Sequence, residues 1–368
     1  MAADEHYQHP AGSLAFVSDP SWPPRRRARQ RLLIVGCHAG GEVGLVVLAG
    51  VAAPAGASVF DMMDRLRADD TLRRLLLREP RGSVAQHANL VVASDRDDCE
   101  AGFVIMEPTE YPPMSGSNTM CVATVLLETG IIAMQSPATR FRLEAPGGPV
   151  DVEASCQDGR VTHVTLHNVP SFAEQLDAPL ELAGHGTISV DVVYGGMWYA
   201  ITDAAALGFS LEPSEARDLA VTGERIRQAA REQLVCRHPE NDAIAGVSIV
   251  QFAGTWRGVG EASTNAVVVA PGRLDRSATG TGLSARMAAL HARGLMRVGD
   301  SMAHRSVIGS EFRGRIVGET TVGAEVAILP AITGQAWITG VTELLLDPTD
   351  PFPEGYLLSD TWPGSDRQ

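Results

Sequence analysis

A mixed α/β fold in two similar halves, each wrapped around a central apolar helix, is what this sequence predicts. Three observations carry it. First, a hydroxyl–Gly–hydroxyl turn opens an apolar helix twice. Met114-Ser115-Gly116-Ser117-Asn118 runs into Thr119 to Gly130, and Ala278-Thr279-Gly280-Thr281-Gly282 runs into Leu283 to Gly294. In both copies a glycine follows the first hydroxyl residue by 15 positions, and glycine suits the left-handed position that ends a helix. Second, each turn is preceded by a strand, a Gly-Gly pair (Gly40-Gly41, then Gly195-Gly196), a helix and further strands, in the same order. Third, strand-like alternation flanks both apolar helices.

The elements follow in order. Residues 1–29 hold Pro20, Pro23-Pro24 and Arg25-Arg26-Arg27, a polar segment expected to form a flexible tail. Arg31 to Val35 begins the first strand, and Val43 to Val51 forms a second apolar run. Ser58 to Leu77 reads as one amphipathic helix, with Phe60, Met63, Leu66, Leu72, Leu75 and Leu76 apolar among Asp and Arg. Strands are expected at Val84 to Ala93 and Gly102 to Met106. After the first apolar helix, Thr139 to Ala145 and Val150 to Ala154 flank Pro146-Gly147-Gly148 as a hairpin. In the strand Val161 to His167, the residues His163 and His167 share a face with Thr165, where solvated or pairing roles are expected.

Beyond Gly186, Ser189 to Tyr194 is a strand and Glu212 to Gln233 a helix. Further strands are expected at Ile244 to Phe252, Ala266 to Ala270, near Val307, and at Arg315 to Val317, Glu325 to Leu329, Gln335 to Ile338 and Glu343 to Leu346. The first half is expected to span 30–185, completed by C-terminal strands within 340–360, and the second to span 186–339. The ligand site is expected in the cleft between the halves.

Composition narrows the function. The chain has 368 residues and a formal net charge of −14, which argues against nucleic acid or an anionic membrane as partner. No apolar run approaches the roughly 20 residues that span a bilayer, and no secretory leader is visible, so a cytoplasmic location is expected. The five cysteines (Cys37, Cys99, Cys121, Cys156, Cys236) form no C-x-x-C pair. They read as free thiols and not as disulfides or a zinc site.

The paired turns carry the chemistry. Each offers a hydroxyl residue and free backbone N–H groups at a helix N-terminus, which together make an anion site. Two such sites facing one another would hold one small carboxylate and put a side chain on each face of its α-carbon. Ser115 and Thr279 are the candidates for that chemistry, although Ser and Thr also cap helices routinely. Gly116 and Gly280 allow close backbone approach. Ser117, Asn118 and Thr281 join the candidate binding set. So do Asp275, for a capping role or a substrate ammonium, and His87, as a polar pocket group.

The turn Met114-Ser115-Gly116-Ser117-Asn118 resembles the proline racemase family turn usually written Met-Cys-Gly-His-Asn. Asp275-Arg276-Ser277-Ala278-Thr279-Gly280-Thr281-Gly282 resembles its second turn, Asp-Arg-Ser-Pro-Cys-Gly-Thr-Gly. His38 to Glu42, Glu79 to Gly82, Tyr194 to Gly196 and Ser306 to Ser310 also match family signatures, so the resemblance covers about residues 30 to 345. It implies a diaminopimelate epimerase-like fold and no metal or organic cofactor. It also implies an activity among proline racemases, 4-hydroxyproline 2-epimerases and trans-3-hydroxy-L-proline dehydratases. Family racemases carry Cys at both turns, one thiol taking the α-proton and the other returning one. Here Ser115 and Thr279 stand at those positions, and Ser117 replaces the family His.

Thr at the second turn resembles the dehydratase branch, because a Thr hydroxyl is a poor proton donor and the carbanion can instead expel a 3-hydroxyl. The first reading is therefore dehydration of trans-3-hydroxy-L-proline to pyrroline-2-carboxylate. In it Ser115 takes the α-proton, the N–H groups of Gly116, Ser117, Gly280 and Thr281 hold the carboxylate, and Asp275 holds the ring nitrogen. Without the family His, the activation of Ser115 is open, and His87 is the compensating candidate. The alternatives are a 4-hydroxyproline 2-epimerase or proline racemase-like activity, and a non-catalytic imino-acid-binding protein. A small-molecule substrate and a homodimer are the expected partners.

Overall fold

The structure, a computed structural model, describes residues 30–363. The tail expected at 1–29 lies outside them. The first strands and helices are β1 (Gln30–Ala39), β2 (Glu42–Ala49), α1 (Val59–Ala68), α2 (Thr71–Leu77), β3 (Gln86–Val92) and β4 (Ala101–Met106). Then come α3 (Gly116–Glu128), β5 (Ala138–Ala145), β6 (Gly148–Gln157) and β7 (Arg160–His167). There follow β8 (Phe172–Leu182), β9 (Gly186–Tyr194), β10 (Trp198–Asp203), α4 (Ala216–Gln233), β11 (Arg237–His238), β12 (Asn241–Ala245) and β13 (Ile249–Ala253). The chain ends with β14 (Ala262–Val269), β15 (Arg273–Leu274), α5 (Gly280–Ala292), β16 (Ser301–Arg305), β17 (Glu311–Val322), β18 (Glu325–Gly334) and β19 (Ala336–Leu346).

Strand pairing repeats itself. One run goes β19–β1–β2–β3–β4–β5–β6–β7, with β2–β3 and β4–β5 parallel. The other goes β8–β9–β10–β13–β14–β16–β17–β18, with β10–β13 and β14–β16 parallel. The parallel pairs fall at the same two steps of each run. Antiparallel pairing of β7 with β18 joins them. Beyond Leu346 the described chain adds only an isolated bridge from Tyr356 to Glu79.

Helices α3 and α5 are apolar all round, which a helix tolerates only when it is enclosed. Twelve residues of α3 and ten of α5 are buried. α3 packs on β1, β2, β7 and β19, and α5 packs on β8, β9, β17 and β18. Both belong to one hydrophobic core. The amphipathic helices cover the outer faces: α4 closes a core with β9, β10, β13 and β14, and α1 with α2 closes one over β3 and β4.

Several expectations are corrected. Ser58 to Leu77 is two helices, because Asp69 turns its carboxylate onto the Thr71 hydroxyl at 2.6 Å and breaks the backbone there. Phe60 is 41% exposed and not a core residue. Ile244 to Phe252 is split between β12 and β13, with Gly246 in the left-handed region at the break. Val307 lies in a turn after β16 and not in a strand. Gln335 to Ile338 and Glu343 to Leu346 belong to one continuous strand, β19, held in line by β1. β8 and β10 had no sequence expectation. His163 and His167 are both exposed.

Candidate active site

The N-termini of α3 and α5 meet head to head. A Cβ added to Gly116 would stand 3.3 Å from the Gly280 Cα, and one added to Gly280 would stand 3.4 Å from the Gly116 Cα. Only residues without a side chain let two helix ends approach so closely. The positive ends of both helix dipoles therefore converge on one small region. Ser115 and Thr279 are the N-cap residues, yet neither side chain makes a capping bond to its own helix. The first-turn N–H groups are left for another acceptor, and both hydroxyls are engaged elsewhere.

At the first turn, the Asn118 side-chain amide donates to Ser115 Oγ at 2.9 Å and lies 3.0 Å from His87 Nδ1. Its carbonyl oxygen accepts from Asn89 Nδ2 at 2.8 Å. Ser117 Oγ is 3.5 Å from Ser115 Oγ. All of these but Ser115, which is half-buried, are buried. One helical turn separates Ser115 from Asn118, so the Asn side chain can fold back over the N-cap.

At the second turn, Thr279 Oγ1 donates to Asp275 Oδ2 at 2.9 Å. Asp275 Oδ1 accepts from the Ser277 N–H at 2.7 Å, and the Thr279 N–H donates to Ser277 Oγ at 3.1 Å. Thr279 has φ 57° and ψ 104°, an unfavourable backbone for a β-branched residue. Such strain costs on the order of 1–3 kcal/mol and persists where the surroundings impose it. Here Thr279 is held on three sides, by Asp275 at its hydroxyl, Ser277 at its N–H and the Leu283 N–H at its carbonyl. Thr281 Oγ1 lies 2.6 Å from the Tyr199 hydroxyl.

A buried charged cluster backs both turns. Arg273 pairs with Glu42 Oε1 at 2.6 Å and also contacts His87 Nε2. Glu42 Oε2 accepts from the Arg276 N–H at 2.8 Å. His87 is 3.3 Å from Glu42 and 3.6 Å from Glu107. Burial opposes charge on Glu42, but the Arg273 guanidinium paired with it outweighs burial and the carboxyl is held at about 2. Burial pushes His87 down to about 3 against the attraction of Glu42, so its ring is neutral. Burial and the Glu42 charge push Asp275 up to about 7, against Arg273 and the Ser277 bonds. Burial, with Glu110 beside it, also drives Glu107 well above the carboxylate range. Three neighbouring carboxyls thus sit in three different protonation regimes, a common mark of functional sites.

The structure brings Ser115, Gly116, Ser117 and Asn118 against Gly280, next to Thr279, Thr281 and Asp275. His87 is joined to Ser115 through Asn118, and its 4% exposure leaves it as a buried support. The Asn118 amide stands between the two, so His87 makes no direct hydrogen bond to Ser115 among the described residues. Glu42, Asn89, Glu107, Tyr199 and Arg273 were not singled out from the sequence. They lie far apart along the chain and come together only where the two halves face each other. Among the described residues no group of three or more His, Cys, Asp or Glu could hold a metal ion, and no helix is long and apolar enough to cross a membrane.

The family model described as proline racemase matches residues 34–357. Among solved structures, a hydroxyproline epimerase from Agrobacterium vitis with bound trans-4-hydroxy-L-proline is 38% identical, with a TM-score of 0.87, over 93% of this chain and all (100%) of that one. A probable proline racemase from Agrobacterium radiobacter with bound carbonate is 38% identical, with a TM-score of 0.85, over 90% of this chain and 98% of that one. A Bacillus anthracis phenazine biosynthesis protein of the PhzF family shares the fold alone, with 11% identity and a TM-score of 0.54 over 86% of this chain and 99% of that one.

Proposed function

The chain belongs to the proline racemase family, and from that premise we infer that it moves the α-proton of a hydroxyproline between two opposed hydroxyl groups, as a 2-epimerase. The observation that carries this is the meeting of α3 and α5 at Gly116 and Gly280. Two helix N-termini supply N–H donors and positive dipole ends to one substrate carboxylate. The carboxylate must absorb negative charge as the α-proton leaves, and donors fixed beforehand at that place lower the barrier. The Agrobacterium vitis relative with bound trans-4-hydroxy-L-proline supports the substrate class.

The hydrogen bond from Thr279 to Asp275 supports proton transfer on the second face. With Asp275 ionised, Thr279 Oγ1 takes the α-proton while its own proton moves to Asp275 Oδ2. The C–H electron pair stays on the substrate as a carbanion delocalised into the carboxylate. Ser115 then donates its hydroxyl proton from the other face, and the Asn118 amide and the α3 N-terminus stabilise the resulting alkoxide. The reverse reaction exchanges the roles. A relay of this kind meets the objection that threonine alone is a poor acid, since Asp275 holds its proton near neutrality.

A second reading has one specific observation in its favour. Neither face carries a thiol, and a carbanion that is reprotonated slowly can expel a 3-hydroxyl. Dehydration of trans-3-hydroxy-L-proline to pyrroline-2-carboxylate would use the same base and clamp. Incubation with a panel of proline and hydroxyproline isomers, followed by chiral chromatography and ketimine detection, separates the two. Inverted 4-hydroxyproline supports the epimerase, ketimine from the 3-hydroxy isomer supports the dehydratase, and neither product leaves a binding protein.

A further inference from the structure

Outside the paired turns, a cavity of about 530 Å³ opens beside the middle and C-terminal end of α5. Asp177, Asp191, Asp203, Trp256, Arg286 and Arg293 are among its walls. Its volume is in the range of small-molecule sites. Three of its charged side chains are joined to one another. Arg293 donates to Asp177 at 2.8 Å and to Asp191 at 2.6 Å. Arg286 is different. Its Nε is buried with no hydrogen-bond partner, and among the described residues no carboxylate stands within ion-pair distance of its guanidinium.

The duplication sharpens this observation. Counting from the two glycines that meet, Arg286 on α5 corresponds to Val122 on α3, which is fully buried. The fold therefore accepts an apolar residue at this position. Arg286 is half-buried with its Nε enclosed and unbonded; burial lowers its pKa, and Asp191 and Asp203 offset that only in part. Arg286 lies six residues along α5 from Gly280, and its cavity has none of Ser115, Asp275 or Thr279 in its walls.

We propose that this cavity is a second ligand site, in which Arg286 binds the carboxylate or phosphoryl group of a small molecule whose apolar body rests against Trp256 and Ile201. A planar guanidinium suits either oxyanion, because both accept two parallel N–H bonds. Arg293 bridges Asp177 and Asp191 and offsets one of their two charges, so the ligand's oxyanion is received at Arg286 and not beside that pair.

The test uses the full chain, as wild type, Arg286→Met and Ser115→Ala, with inorganic phosphate and 4-bromobenzoate as separate probes. Arg286→Met places an apolar side chain where the other half of the fold carries the buried Val122, so the variant is expected to fold. At least one probe should raise the melting temperature of the wild type and of Ser115→Ala. It should bind Arg286→Met about tenfold more weakly or worse. Phosphate alone would identify a phosphoryl ligand, and bromobenzoate alone a carboxylate. Should Arg286→Met fail to fold, a crystal of the wild type soaked in 4-bromobenzoate gives the same decision, with an anomalous bromine peak expected in this cavity. The inference is overturned if neither probe stabilises the wild type, if both variants respond equally, or if bromine appears only at the helix N-termini.

Discussion

Thr279 donates to Asp275 at 2.9 Å from a backbone held at φ 57°. The turn holds this conformation through the Ser277 hydroxyl and the Leu283 N–H as well, and it aims the Thr279 hydroxyl at Asp275. Asp275→Asn keeps the shape and removes the proton acceptor. It is expected to lower kcat by about 10²- to 10⁴-fold with an unchanged fold. In the wild type, kcat should rise with pH through about 7 as Asp275 ionises. That limb should vanish in the variant. Steady-state rates between pH 5 and 9 check both.

The two glycines at the helix junction are predicted to resist any side chain. In Gly116→Ala the new methyl stands 3.3 Å from Gly280 Cα, so the helix ends must part by a few tenths of an ångström. The protein should fold. Its affinity for pyrrole-2-carboxylate, planar at the α-carbon like the carbanion, is expected to fall about tenfold to hundredfold. Titration calorimetry on wild type and variant gives the answer.

Much of this was legible in the sequence, and for identifiable reasons. Gly116 and Gly280 sit beside hydroxyl residues at the head of apolar runs, and that local pattern gives away both buried helices. The turn at Pro146-Gly147 marks its hairpin in the same way. What stayed hidden was non-local. The break at Asp69 depends on one side chain outcompeting a helical hydrogen bond. β8 alternates weakly, with Glu174, Gln175 and Asp177 along it, and exists because β9 pairs with it. Asp275 was read as a holder of the substrate nitrogen, and its bond to Thr279 appears only when the turn is folded. Arg273, Glu42 and His87 meet across the two halves, and no spacing rule joins them.

The buried cluster sets the acid stability. Glu42 is held at about 2 against an ordinary value of 4.5. Its contribution is complete above 4.5 and is lost as pH falls towards 2. His87 is held neutral, at about 3 against 6.5. Its contribution is complete above 6.5 and is lost as pH falls towards 3. Asp275, raised to about 7, acts in the opposite sense and gives up stability as pH rises through 7. Melting temperature measured from pH 8 to 4 should fall less steeply below 6.5 in His87→Gln than in the wild type. Parallel curves would remove His87 from the account.

Thiol chemistry should be dispensable. Cys37, Cys121, Cys156 and Cys236 are buried, and Cys99 is half-buried. Iodoacetamide is expected to label Cys99 with turnover intact. Thr279→Cys, close in volume, should speed α-proton return, seen by chiral chromatography. Loss of all activity on alkylation, prevented by substrate, would place a thiol in the site.

The central claim is that Ser115 and Thr279 handle the α-proton of one bound imino acid from opposite faces. Proton NMR of trans-4-hydroxy-L-proline in deuterated buffer reads this directly. With the wild type, the α-hydrogen signal should disappear as the inverted epimer, carrying deuterium at the α-carbon, accumulates. Thr279→Ala and Ser115→Ala should each stop accumulation of that epimer. An α-hydrogen signal that persists for every proline and hydroxyproline isomer with the wild type, or epimerisation undiminished in Ser115→Ala, would contradict the account.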